Sequence, residues 1–133
     1  MAKIRINPDE LYDASAFGMS QAVADPASGL VFVSGQVDWN HDFQVSCDTV
    51  PGQLENALKN LAIALDAAGA SVETLLHVRL YIRGELEDHM EALVPIFAGF
   101  LGSSRPAVTG IGVASLASKA TLVEIEAVAK ISV

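Results

Sequence analysis

Two carboxylates near the C-terminal end are the groups in this chain best placed for chemistry. In the run TLVEIEAVAKI the apolar residues Val123, Ile125, Ala127, Ala129 and Ile131 recur at every second position, the period of a strand packed on one face. Glu124 and Glu126 then share the opposite face. Carboxylates on so aliphatic a strand are costly to bury without partners, so they must meet water, cations or a ligand.

The strand that carries them belongs to the stretch Arg105–Val133, which reads as two strands around a short turn: RPAVTGIGVASL, then ASKA, then TLVEIEAVAKISV. Another strand, within Ser71–Arg83, sets Val78, Leu80 and Ile82 on one face and His77, Arg79, Tyr81 and Arg83 on the other. Arg79 can reach Glu126 or Glu124 across a sheet as a plain ion pair or as a substrate contact.

Between and before these lie the elements that must position them. Leu54, Leu58, Leu61, Leu65 and Ala68 draw one apolar stripe on a helix from Pro51 to Gly69, with Asp48 or Thr49 as its cap, Pro51 in its first turn and Gly69 as its left-handed stop. A second stripe, Leu86, Met90, Leu93, Phe97 and Phe100, contains Pro95, which predicts a kink or a division near it. Residues 1 to 16 read as a short edge strand followed by irregular chain, and FGMSQAVA (17–24) and LVFVSGQV (30–37) as a hairpin around Asp25–Gly29. Gly35, late in that hairpin, marks a bulge, a close approach to the backbone, or simply the strand's end. Residues 38 to 50 form a loop in which Trp39, His41 and Phe43 could cover a pocket, although His41 between Asp38 and Asp42 reads as a solvated loop histidine. The order is β-β-α-β-α-β-β, an α+β fold in which two helices cover one face of a mixed sheet.

Composition bounds the rest. A chain of 133 residues makes one domain, residues 1–133. With 51% apolar residues and a positive mean hydropathy, some apolar surface is expected between subunits. No apolar run approaches the roughly 20 residues of a membrane span, and MAKIRINPDEL lacks the apolar core of a secretory signal, so no membrane partner and a cytoplasmic location are expected. The single cysteine, Cys47, and the absence of paired Cys or His motifs give no reason to expect a metal. Sixteen acidic against eight scattered basic residues, a net charge of −8, argue against nucleic acid as a partner.

VFVSGQV, the helix QLENALKNLAIALDAAGAS followed by TLLHVRLYI, and RPAVTGIGVASL with LVEIEAVA together resemble the Rid family, also called YjgF, the reactive-intermediate enamine/imine deaminases. The similarity runs from about Met19 to Ile131. It implies a chorismate-mutase-like fold, a homotrimer whose sheets form a central barrel, and sites in the clefts between subunits. In the active deaminases of this family an arginine holds the substrate carboxylate, a glutamate positions water, and neither metal nor organic cofactor takes part.

Carried over by position, Glu124 stands where the water-positioning glutamate does, and Ser34, Gly35 and Gln36 border the cleft. The substrate-binding arginine that follows Pro-Ala in the family is here Val108. Met19 stands where a tyrosine precedes Ser-Gln-Ala, Gly110 where cysteine or threonine is common, and no asparagine follows Asn60 to match the one on the second helix. A 2-imino acid beside Glu124 without a bidentate cation would set like charges together. Arg105 and Arg79 are the candidate substitutes, although Arg105, three residues from Val108, starts about 10 Å away and on the other face of an extended strand.

The leading reading is therefore a hydrolase of an enamine, imine or related electrophile. Glu124 would orient water, backbone near Gly35 and Gly110 would stabilise developing charge, and the substrate would be unusual. The rival is a module that binds a small metabolite without turning it over. The ribonuclease activity described for some relatives fits the acidic charge poorly.

Overall fold

A computed structural model of the chain describes residues 2–132. Its six strands are β1 (Ile4–Ile6), β2 (Ala22–Asp25), β3 (Leu30–Gln36), β4 (Leu75–Arg83), β5 (Ala107–Val113) and β6 (Val123–Lys130), and its two α-helices are α1 (Val50–Ala67) and α2 (Met90–Leu101). The strands form one sheet in the order β1-β2-β3-β6-β4-β5. Only β4 and β5 run parallel; the other neighbours are antiparallel. Both helices lie on one face, so the expected α+β architecture is what forms.

β6 takes the centre because its alternate row demands it. Val123, Ile125, Ala127 and Ala129 are at most 5% exposed and meet the buried leucines of α1. Each large aliphatic side chain so buried contributes about 1.5–3 kcal/mol. α1 is capped by Thr49, whose hydroxyl accepts from the Gly52 N–H at 3.2 Å, and ends at Gly69 with φ +75°. The β2–β3 hairpin closes at Gly29, also left-handed, whose N–H donates to Asp25 O at 2.8 Å.

Four details differ from the sequence-based expectation. The last two strands are not partners: β4 lies between them, since β6 can bury its row only in mid-sheet, whereas β5, with two glycines and mostly exposed, fits the edge. β2 begins at Ala22 rather than near residue 17, because Ser15–Phe17 form a 3-10 turn closed by left-handed Gly18. The second helix divides ahead of its proline, with a 3-10 turn over Leu86–His89, then α2 with Pro95 inside it. Arg105 is not extended but has φ +48°, so the chain turns into β5 there. No helix among the described residues is long and apolar enough to cross a membrane.

Candidate functional site

The face of the sheet away from the helices carries the carboxylates. In register, Arg79 lies opposite Glu126 and Tyr81 opposite Glu124. Arg79 Nη1 stands 3.8 Å from Glu126 Oε2, and the Tyr81 hydroxyl donates to Glu126 Oε1. That bond holds the Tyr81 phenol above its ordinary range. Glu126 is thus partnered by both Arg79 and Tyr81.

Glu124 is placed differently. The β3–β6 register shifts between Val33 and Gln36, and within this irregular stretch the backbone of Gly35 lies under the Glu124 carboxylate. A Cβ on Gly35 would stand 2.2 Å from Glu124 Oε2, so only glycine leaves room. The bulge and the close approach occur together. Burial, and secondarily the negative charge of Glu126, raises the Glu124 pKa above the usual carboxylate value. Glu124 accepts no hydrogen bond among the described residues.

Glu124 forms one wall of a hollow of about 250 Å³ shared with Tyr12, Phe17, Met19, Trp39 and Gly35. Its shape is held from behind by buried polar groups. Gln21 donates through Nε2 to Tyr12 O at 2.9 Å and accepts from Gln36 Nε2 at 2.9 Å, fixing the Tyr12 segment to β3. The buried Asp38 carboxylate takes the N–H groups of Ser46 and Cys47 at 3.1 and 3.0 Å, which folds the loop after β3 back on itself. Trp39 Nε1 donates to Thr121 Oγ1 at 2.9 Å, and Gln53 Nε2 reaches both Cys47 O and Ala120 O. Loop, α1 and the start of β6 are therefore one unit.

Of the loop aromatics Trp39 lines this hollow and Phe43 packs against the Trp39 ring, while His41 lies apart, with Nε2 2.7 Å from Asp9 O. Tyr12 and Phe17 had no sequence signal beyond their type: they come from irregular chain and a 3-10 turn. With Trp39 and Phe43 they bring together four of the chain's eight aromatic side chains, at centroid distances of 5.2–6.5 Å. Met19 lines the hollow where the resemblance expects a tyrosine, and the phenol there is that of Tyr12, its pKa raised by burial.

The other candidates lie elsewhere in the single chain. Ser34 donates to Ser20 O at 2.6 Å and lines a neighbouring hollow with Lys3 and Arg5, which shares Met19 with the first. Val108 and Gly110 pair with Val78 and Leu80, which puts them on the helix side of the sheet edge, in an apolar groove with Leu86, Met90 and Phe97. A Cβ on Gly110 would meet Leu86 Cδ2 at 2.9 Å. Arg105 borders a second groove on that side, beside Phe97 and Leu101. Glu124, Gly35 and Met19 are brought together within one chain; Val108, Gly110 and Arg105 are gathered on the opposite face. Among the described residues no cluster of three His, Cys, Asp or Glu side chains is arranged to hold a metal.

Comparison with known proteins gives a consistent result. The family model described as Endoribonuclease L-PSP matches residues 12–131. Mitochondrial protein mmf2 of Schizosaccharomyces pombe is 31% identical over 97% of this chain and 98% of its own. A RutC family protein of Pyrococcus horikoshii is 29% identical over 83% of this chain and 84% of its own. The crystal structure of YyfA from Yersinia pestis, described as a protein of unknown function of the conserved Rid family, is 26% identical with a TM-score of 0.87, covering 98% of this chain and 100% of that one. By the span of the family match and the agreement of fold, this chain belongs to the Rid/YjgF family.

Proposed function

We propose that the protein is a Rid-type hydrolase of an enamine, imine or related reactive metabolite, working in a cleft between subunits of a homotrimer, with a substrate other than the usual 2-imino acids. The observation that carries this reading is the Glu124 carboxylate seated on Gly35 in an aromatic-walled hollow, with its pKa raised by burial. A carboxylate moved toward neutrality is a better proton acceptor at physiological pH than an ordinary one. Water held by Glu124 adds its oxygen to the imine carbon, the C=N electron pair moves to nitrogen, and the water proton passes to Glu124. The carbinolamine then collapses: Glu124 returns that proton to nitrogen and takes the hydroxyl proton as the O–H electrons form the C=O bond. The C–N bond breaks toward nitrogen, nitrogen receives this second proton from Glu124, and a carbonyl compound and ammonia leave.

Val108 in place of the family arginine supports the unusual substrate, and its position on the opposite face from Glu124 is why the reading needs a neighbouring subunit to complete the cleft. The test compares wild type, Val108→Arg and Val108→Arg/Glu124→Gln on 2-iminobutanoate in a dehydrogenase-coupled assay. Little activity is expected in wild type. Val108→Arg should gain about ten- to a hundredfold, the worth of a charge-assisted contact of roughly 1.5–3 kcal/mol, and Glu124→Gln should remove that gain. Wild type as fast as Val108→Arg places the clamp elsewhere, Arg105 first. No activity dependent on Glu124 in any variant favours the metabolite-binding reading.

A further inference from the structure

We propose that the ligand of the Glu124 hollow is a small organic cation without a carboxylate, of the protonated-imine (iminium) class. The inference rests on the reading of this hollow as the ligand site, and names what it takes. Tyr12, Phe17 and Trp39 line the hollow beside Glu124, and no Lys, Arg or His side chain does. Aromatic faces carry partial negative charge and attract cations within about 6 Å, and a carboxylate beside them supplies the counter-ion. The hollow is thus negative on every side that has a sign.

The cations of the same chain are engaged or lie outside the hollow, Arg105 on the opposite face among them. Arg79 pairs with Glu126, the Arg83 guanidinium donates to Lys119 O, and Lys3 and Arg5 line the separate hollow beyond Met19. An anionic ligand would meet Glu124 without compensation, and a neutral one would leave the carboxylate desolvated and unpartnered. A cationic nitrogen satisfies both the carboxylate and the rings. The chain's net charge of −8 acts in the same direction at long range.

Trp39 is the only tryptophan, so its indole N–H gives one resonance whose shift reports occupancy of the hollow. The probes are 1-methylpyridinium, a flat cation with a trigonal nitrogen; toluene, its neutral isostere; and 1-methylpyridinium-3-carboxylate. Saturable shifts with 1-methylpyridinium bound about tenfold or more tightly than either other probe are expected. Glu124→Gln should abolish that preference, and Phe17→Ala, at a side chain 56% exposed and so outside the core, should weaken cation binding with the fold intact. Equal or tighter binding of toluene overturns the inference, as does equal or tighter binding of the carboxylate-bearing probe, which would draw in the Lys3 and Arg5 hollow. Absence of a saturable shift also overturns it. The readout needs no turnover: cation preference without hydrolysis in any variant keeps this inference and removes the enzymatic reading. Hydrolysis that requires Glu124, without cation preference, does the reverse.

Discussion

Gly35→Ala is the sharpest perturbation of the proposed site, because the added methyl carbon falls where Glu124 now sits. It would lie 2.2 Å from Oε2, 2.5 Å from Cδ and 2.9 Å from Cγ of Glu124. Ordinary carbon contacts are about 3.5 Å or longer, so the carboxylate must retreat by roughly 1 Å or more. A misplacement of about 1 Å in a group that positions a reactant costs on the order of a hundredfold in rate. The fold should tolerate it. What yields is the end of a flexible side chain, so the destabilisation should stay near the low end of the roughly 1–3 kcal/mol of an overpacked site, a few degrees in Tm. The assay is 2-iminobutanoate hydrolysis in the Val108→Arg background, with thermal unfolding followed on the same samples. A hundredfold loss with a shift of a few degrees is expected. Full activity in Gly35→Ala would mean that the Glu124 carboxylate does not act from its seat on Gly35, and the argument from that contact would fail.

Three further outcomes are expected. Glu124 has a native pKa raised above the ordinary 4.5, so the folded state binds its proton more tightly than the unfolded chain does. Its contribution to stability is therefore lost as pH rises through the native value. Glu124→Gln should be more stable than wild type near pH 7, and the gap should close as pH falls to about 4.5 and below; a gap independent of pH would contradict the burial argument. Light scattering on the eluting peak should give three times the 14.0 kDa of one chain, and a monomer would remove the shared cleft. Fluorescence anisotropy with single- and double-stranded RNA should show no binding at physiological salt, whereas saturable micromolar binding would mean that a local patch outweighs the net charge.

How much of this was legible in the sequence follows from range. The alternation in Val123–Lys130 and Leu75–Arg83 and the stripe of α1 are local, and the structure keeps their faces as read: Arg79, Tyr81, Glu124 and Glu126 share one side. Which strand is central is not local. β5 and β6 follow one another in the chain, yet β4 separates them, and only the depth of burial each row requires decides it. The glycine at 35 admitted a bulge or a close approach, and its actual partner, Glu124, lies 89 positions away and meets it only through sheet register. Tyr12 and Phe17 were invisible as site residues because irregular chain has no period. Their convergence with Trp39 depends on the Gln21, Asp38 and Gln53 hydrogen bonds that fold the loops.

The same separation of faces divides the two proposals about the site. The cation hollow is built by one chain, from Tyr12, Phe17, Gly35, Trp39 and Glu124, whereas an arginine at 108 would project from the helix side of the sheet edge and meet Glu124 only across a subunit boundary. Phe32, 49% exposed on the open face opposite Val128, is the kind of apolar group that an assembly around this face would bury. Phe32→Glu should therefore dissociate the proposed trimer, since burying an unpaired charge there costs several kcal/mol. In the dissociated protein the rate gain of Val108→Arg should vanish while 1-methylpyridinium still shifts the Trp39 indole resonance. Loss of both together would mean that the neighbour also shapes the hollow, and survival of both would mean that residue 108 reaches Glu124 within its own chain, against the register of β4 and β5.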